Sequence, residues 1–262
     1  MKLLLLLLNM VVLVLATPPQ HITCKKISEA SGLLHSTKYP NVFWVHNDSG
    51  DKPRLYAIDT QSLQLINTIK VKKAKHRDWE DMTFYNGEIV IGDFGNNKSK
   101  RDDLMLYFID EPNPYKETKV RVRKKVPFTY SDQEGSDLRN YDCEALLSFN
   151  DTLYLLTKHR EDRNTTLYKL HGNVAHKVID YPIDGKVTAA DSNGVYVAVL
   201  TYDRLYILEP TADDDNLFSG KVYRKRIDAG QVEGVTFVGN TVKIVNEDGE
   251  MFTYHLNDII KG

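Results

Sequence analysis

The chain has 262 residues, of which 42% are apolar or aromatic (AVILMFWYC) and 27% are charged, with a formal net charge of -2. That is too apolar for a disordered chain and fits one globular domain. The balance of 34 basic against 36 acidic residues removes the global electrostatic case for a nucleic-acid partner, and two cysteines are too few for a disulfide scaffold or a four-Cys zinc site.

Residues 1-16, MKLLLLLLNMVVLVLA, place one Lys before an apolar run that ends in small residues, with Val14 and Ala16 matching a signal-peptidase site. The run from Leu3 to Ala16 is 14 residues, short of the roughly 20 that a spanning helix needs. A secretory signal is therefore expected, with an uncleaved anchor as the alternative. The mature chain, 17-262, is expected to be one extracellular domain, monomeric and free of the membrane. Outside the reducing cytosol, Cys24 and Cys143 would either close one long-loop disulfide or remain free thiols. N-x-S/T sequons make Asn47, Asn97, Asn150 and Asn164 glycosylation candidates.

From Glu29 onward the chain repeats itself. Five copies open with EASGL at Glu29, EDMTF at Glu80, EALLSF at Glu144, TAADS at Thr188 and EGVTF at Glu233, at spacings of 51, 64, 44 and 45. Turn pairs follow at Asn86-Gly87, Asn150-Asp151, Asn193-Gly194 and Gly239-Asn240. Each copy then gives a second apolar strand (VFWVHND, EIVIGDF, TLYLLTK, VYVAVLTY, VKIVNED), a third with a Leu-Tyr or Met-Phe centre, and a more polar fourth. Four strands per copy is a propeller blade. Fifteen Tyr and nine Phe agree with strands, and no segment carries a long helical period. The fold expected is an all-β propeller of five four-stranded blades. After Glu233 only three strands remain, so residues 21-27, HITCKKI, are expected to supply the missing outer strand. A six-bladed ring with a degenerate blade between Pro112 and Asp142 is the alternative.

In a propeller the first strand of each blade lines the central channel, and the end of the second strand returns to the same mouth. Glu29, Glu80, Glu144, Thr188 and Glu233 should therefore meet His46, Asn47, Asp48, Asp93, Asn96, Lys158, His159, Tyr202, Asp203, Asn246 and Glu247. Crowded carboxylates repel unless protonated, paired or bridged by a cation, and hard oxygen ligands suit Ca²⁺. Glu29, Glu80, Glu144 and Glu233 are the candidate calcium ligands, with neutralisation by Lys158, His76, Arg77, Lys186 and Arg204 as the competing arrangement. Asn47, Asp48, Asp93, Asn96, Lys158, Tyr202, Asn246 and Glu247 are the candidate ligand-binding set, for a small anionic ligand, a glycan or a partner loop. There is no G-x-S-x-G, H-E-x-x-H, P-loop or dinucleotide-binding glycine pattern. If the mouth is catalytic, metal-assisted hydrolysis of an ester, lactone or phosphoester is the chemistry expected, with His46, Asp48, Asp93, Lys158 and His159 as candidates. Trp44 and Trp79 read as core, Asp213 to Asp215 as a solvated loop, and His171 and His176 as surface residues.

The strings VHNDSGDKPRLYAID, RDWEDM with GDFGNN, LYLLTKHR with TTLYKL, VTAAD with VLTYDRLYIL, and QVEGVTF with VNEDGE resemble a group of secreted propeller proteins over nearly the whole mature chain. More distantly, ASGL and EGV resemble SdiA-regulated proteins, esterase-like phytases and the calcium-dependent phosphotriesterase and gluconolactonase-type propellers. That resemblance implies a calcium near the axis held from strand-one starts, which correspond to Glu29, Glu80, Glu144 and Glu233, with Thr188 departing from the pattern. In some of those relatives it also implies an ester-cleaving site above the metal.

Overall fold

The computed structural model describes residues 19-134 and 138-261; the expected leader lies outside the described residues. Strand β1 (Gln20–His21) is followed by β2 (Ala30–His35), β3 (Val42–Asn47), β4 (Arg54–Asp59) and β5 (Leu65–Lys72). Next come β6 (Trp79–Tyr85), β7 (Glu88–Asp93), β8 (Met105–Asp110), β9 (Lys119–Pro127) and the two-residue β10 (Thr129–Tyr130). Then come β11 (Asp142–Phe149), β12 (Thr152–Lys158), β13 (Asn164–His171) and β14 (Val174–Pro182). The chain ends with β15 (Val187–Ser192), β16 (Val197–Thr201), β17 (Arg204–Glu209), β18 (Lys221–Arg226), β19 (Val232–Val238), β20 (Thr241–Asn246), β21 (Glu250–His255) and the short helix α1 (Leu256–Ile260).

Consecutive strands pair antiparallel in four-stranded meanders, β2 to β5, β6 to β9, β11 to β14 and β15 to β18, and β19 to β21 are completed by β1. Hairpin chemistry sets the registers. Asn86 and Gly87 both take positive φ between Tyr85 and Glu88, the geometry that continues the strand twist, and Asn150 and Asp151 do the same between Phe149 and Thr152. The first strands of the meanders pack side by side in the order β2, β6, β11, β15, β19 and back to β2. The sheets curl around one axis as in a β-propeller.

Alternation along each inner strand explains the core. Val42 and Trp44 of β3 join an apolar cluster with the second meander, whereas Phe43 and Val45 join one with the last. Similar clusters fill the spaces between the second and third, third and fourth, and fourth and last meanders. Both tryptophans are fully buried, as expected of core residues. Outer strands face solvent on much of their surface and carry the polar residues, as in the KVYRKR of β18.

Three expectations change. The N-terminal strand is shorter and earlier than residues 21-27: Gln20 and His21 pair with Met251 and Glu250, after which Thr23 crosses to bridge Gln64 of the first meander. Ile22 and Ile27 are buried in the cluster between the last and first meanders, so this segment clasps the two ends of the ring. The segment from Pro112 to Asp142 contains, among the described residues, the outer strand β9 and the two-residue β10, which pairs parallel with β14, and no further meander. The cysteines are both free: Cys24 lies against the cluster between last and first meanders, and Cys143 is fully buried between second and third. Of the two alternatives for the cysteines, the structure has the free thiols. Among the described residues, no helix is long and apolar enough to cross a membrane.

Candidate functional site

The inner and second strands meet where the repeat opens, with Ala30 opposite Asn47, Trp79 opposite Asp93, Asp142 opposite Lys158, Val187 opposite Thr201 and Val232 opposite Asn246. Just inside this end the register of all five inner strands slips, around Ser31 and Gly32, around Glu80 and Asp81, and at Glu144, Thr188 and Glu233. A bulge breaks the strict alternation of side chains and re-aims them. The opening residues that repeat in the sequence are thus the bulged residues of the structure, except in the first copy.

In the second meander the bulge sends two successive carboxylates to different places. Glu80 joins Asp48 and Asp78, the three offering carboxylate oxygens within 4.8 Å of one another. Asp81 goes into the centre, where it accepts the backbone N-H groups of Leu146 on β11 at 2.9 Å, Ala190 on β15 at 3.1 Å and its neighbour Met82 at 2.8 Å. Other buried bonds continue this belt. Ser31 donates to the Glu80 carbonyl, Asp191 accepts from Thr236 and Phe237, and the Thr236 hydroxyl accepts from the His35 N-H. The inner strands are therefore fastened by side chains where no backbone ladder joins them.

The Asp48, Asp78 and Glu80 cluster is electrostatically unsatisfied. Glu80 is 4% exposed, and its Oε1 is buried with no hydrogen-bond partner. Burial, reinforced by the charges of Glu144, Asp48 and Asp78, pushes its carboxyl well above the usual range. Burial also raises Asp48, and it raises Asp78 to about 6 with help from the Asp48 charge. Gly95 leaves room for the pair: a Cβ there would lie 1.8 Å from Glu80 Oε1 and 2.7 Å from Asp78 Oδ2. Asp78 is held by its N-H to Asp93 Oδ1 at 3.0 Å and by its carbonyl, which accepts from Phe94 and Gly95. Asp48 is held through its carbonyl by His76, whose ring stacks on Trp79 at 4.4 Å.

Lys158 organises the other side of the mouth. Its ammonium lies 2.5 Å from Glu144, 3.5 Å from the Tyr202 hydroxyl and 5.7 Å from the centre of the Tyr202 ring. Burial works against the Lys158 charge, but the Glu144 carboxylate outweighs it and holds the ammonium above its ordinary value. Arg160 pairs with Asp142, which also accepts the Asn96 N-H at 2.6 Å. Gln231 donates to Glu233 at 3.1 Å and to Glu247 at 2.5 Å. Burial pushes Glu233 up to about 7 against the opposing pull of Lys158.

The remaining predicted residues divide cleanly. Asp93 is neutralised by buried Arg101 at 3.1 Å, and the Asn96 side chain accepts the N-H groups of Lys100 and Arg101, so both fix a loop. The amide of Asn47 donates to the Lys26 carbonyl and Asp51, and that of Asn246 to the Ala229 carbonyl and Glu250, two copies of one structural fastening. The Asn47 nitrogen that a sugar would occupy is thus engaged and buried, whereas Asn97 and Asn150 are exposed and Asn164 is half-buried. His46 is wholly buried against Gly32, and burial lowers it to about 3, so it stays neutral behind the site and is no base at the mouth. His159 bonds to Asp162 at 2.9 Å and Thr166 at 2.8 Å, beside a cavity of about 360 Å³ on the third meander that also includes Asp180 and Lys177. Glu29 is exposed ahead of β2 and contributes only its carbonyl, which accepts the Asp48 N-H.

Of the four expected calcium ligands, then, Glu80 lies in a carboxylate cluster, Glu144 is paired with Lys158, Glu233 is bonded to Gln231, and Glu29 stands outside. Lys186 bonds to main-chain carbonyls, while Arg77 and Arg204 pair with Asp103 and Asp203, so none of the three shields Glu80. Sequence reasoning missed Asp78 and Asp81. The signal was present in D-W-E-D, three acids in four residues at the start of an otherwise apolar inner strand, where Asp is rarely tolerated without a dedicated partner.

No family model matches the chain, and no curated protein sequence matches it. Among solved structures, a glutaminyl cyclase of Myxococcus xanthus superposes with a TM-score of 0.57 at 9% identity, over 91% of this chain and 94% of that one. The PQQ-bound aldose sugar dehydrogenase of Streptomyces coelicolor gives 0.54 at 7% identity, over 89% of this chain and 96% of the other. At such identities the likeness is one of fold, and the fold is of β-propeller type.

Proposed function

We propose that this protein is a secreted, five-bladed propeller that binds a divalent cation, with Ca²⁺ as the best fit, at Asp48, Asp78 and Glu80, and captures a small anionic ligand beside it. Each meander is one blade in this reading, and the N-terminal segment closes the last. The observation that carries the reading is the buried Glu80 oxygen, which has no protein donor although two further carboxylates lie within reach. Three hard oxygen donors and no nitrogen or sulfur among them favour Ca²⁺ over zinc. A bound cation would offset the burial and like charge that raise these carboxyls, and would add positive charge next to Lys158 and Arg160. An anionic group or a sugar hydroxyl set across the mouth would then meet the cation on one side and the Lys158 and Tyr202 pair on the other.

A second reading, a calcium-dependent hydrolase of ester, lactone or phosphoester bonds, draws on Glu233. Its carboxyl titrates near neutrality at the same mouth, as a base that activates water must. The cation would supply polarisation of a carbonyl or phosphoryl oxygen. Calorimetric titration of Ca²⁺ and Mg²⁺ tests the cation, followed by small organic phosphates and sugar acids titrated with and without Ca²⁺. Anion binding that needs Ca²⁺ and is lost in Lys158→Ala supports the binding reading; turnover of an aryl ester or phosphoester that is lost in Glu233→Gln selects the hydrolase.

A further inference from the structure

Far from the mouth, the outer strands of the first two meanders break a rule that sheets ordinarily keep. Strands β5 and β9 pair in parallel and fuse those meanders into one eight-stranded sheet, with Lys70 beside Lys119 and Lys72 beside Arg121. Neighbouring strands are about 4.8 Å apart, and like charges set directly beside one another destabilise a sheet. All four side chains are exposed, and among the described residues none of the four has an ion-pair partner.

The pairing sits within a wider segregation of charge. Residues 65-75 and 116-127 hold ten Lys or Arg and one Glu, a net charge of +9, which leaves -11 on the rest of a chain whose total is -2. Every one of the ten is exposed. Lys124 and Lys125 lie over the rings of Phe108 and Tyr107, at 5.2 and 5.5 Å, and so cover the aromatic surface there with charge. Arg123 alone is drawn to acids, Asp110 and Glu88. A groove of about 600 Å³ beside β9 is lined by Lys119, Arg121 and Arg123 on one hand and by Asp110, Glu111 and Glu117 on the other, so the unopposed cations are those on the β5 and β9 strands themselves. On an extended strand alternate residues recur about every 6.6 Å, so Lys119 and Arg121 of β9 stand in a row beside Lys70 and Lys72 of β5, ahead of the register slip at Arg123.

We infer that this row is a docking surface for a linear sulfated or uronic-acid polysaccharide. The occupant follows from the chemistry. Four cations without ion-pair partners among the described residues, Lys70, Lys72, Lys119 and Arg121, set side by side on two extended strands, match a chain of regularly spaced anions. Single-stranded nucleic acid needs open aromatic faces for its bases, and the rings beneath Lys124 and Lys125 are covered. An anionic membrane surface is gripped best with apolar anchors, whereas the exposed large apolar residues among those described are Tyr115 and Val195, too few for an anchoring patch. The inference is independent of the cation site: it uses the rim of the first two meanders and no carboxylate of the mouth.

The test is retention of the intact protein on immobilised heparin, used as the probe, in buffer with chelator so that loss of the proposed calcium has no effect. Wild type should be retained at physiological salt. The variant Lys70→Glu, Lys72→Glu, Lys119→Glu, Arg121→Glu should elute at much lower salt and bind heparin at least tenfold more weakly. A charge-matched control with Lys221→Glu, Arg224→Glu, Lys225→Glu and Arg226→Glu on β18 should change retention less than threefold. The single substitution Lys119→Glu should raise the melting temperature by relieving the Lys70 contact, which reads out the stripe even if the multiple variant folds poorly. Failure of wild type to bind heparin, equal losses in both multiple variants, or binding to duplex DNA or phosphatidylserine vesicles at salt that releases heparin would overturn the inference.

Discussion

The Lys158 ammonium lies 2.5 Å from the Glu144 carboxylate with both side chains buried, whereas Glu80, on the neighbouring inner strand, has a buried oxygen with no partner. One axial carboxylate is thus neutralised by the protein itself and another is left open to a cation. Their substitutions should behave oppositely. Glu144→Gln strands a buried ammonium and is expected to destabilise the fold by about 3 kcal/mol. Glu80→Gln, measured in chelator, should be neutral or stabilising, because it removes a charge that burial and three carboxylates oppose. Denaturant melts of the two variants at pH 7.5 check the contrast.

The same carboxylates predict an unusual pH dependence. Asp78 and Asp191 are raised to about 6 and Glu233 to about 7, so between the ordinary carboxylate range and neutrality these three groups hold more protons in the folded chain than in the unfolded one, and together they outweigh His46, lowered to about 3, which opposes them in the same window. Stability is then highest at the acidic end of this window and is lost as pH rises through about 6 to 7. In chelator the melting temperature should be higher at pH 5 than at pH 7.5. Excess Ca²⁺ should narrow that difference, because the cation competes with protons at Asp78.

Asp81 fastens three meanders through one carboxylate. Asp81→Ala leaves the Leu146 and Ala190 N-H groups buried without an acceptor, and each such loss costs about 1 to 3 kcal/mol. A total near 3 kcal/mol is expected, with Asp81→Asn about half as harmful because the carboxamide oxygen still accepts. Chemical denaturation of the pair measures it.

The N-terminal clasp and the thiols give two further checks. Ile22→Ala, at 3% exposure between the last and first meanders, should cost about 2 to 4 kcal/mol and increase proteolysis of the N-terminal segment. Reducing agent should leave the melting temperature unchanged, and Cys143 should react with a thiol reagent only after denaturation. Protection of both thiols in the denatured, unreduced chain would contradict the free cysteines.

The fold was legible because its signals are local and repeated. Turn pairs such as Asn86-Gly87, the alternating VFWVHN and the recurrent Leu-Tyr centres each depend on a few neighbouring residues, and repetition reinforces them. The site was legible only to the level of which strand ends converge. A bulge adds one residue to each inner strand, and the repeat-opening residue marks its position in four copies but not in the first. Glu29 therefore looked equivalent to Glu80 in the sequence, although Ser31 and Gly32 occupy the bulge of the first meander. For the same reason the sequence reading passed over Asp81, which the bulge turns into a central fastener. Partners at long sequence distance were out of reach too, such as Leu146 and Ala190 for Asp81 or Tyr202 for Lys158, because they settle which polar groups are already satisfied.

The most direct test of the account is the melting temperature of wild type, Glu80→Gln and Gly95→Ala with chelator and with Ca²⁺ at about one hundred times its measured Kd. At that ratio binding adds about 2.7 kcal/mol to wild type, a rise of roughly 5 to 10 °C for a domain of this size. The account predicts that rise in wild type and its loss in both variants, in Glu80→Gln because a ligand is neutralised and in Gly95→Ala because the new Cβ displaces the Glu80 oxygen without changing any charge. No rise in wild type, or an equal rise in all three proteins, would contradict a cation site at Asp48, Asp78 and Glu80.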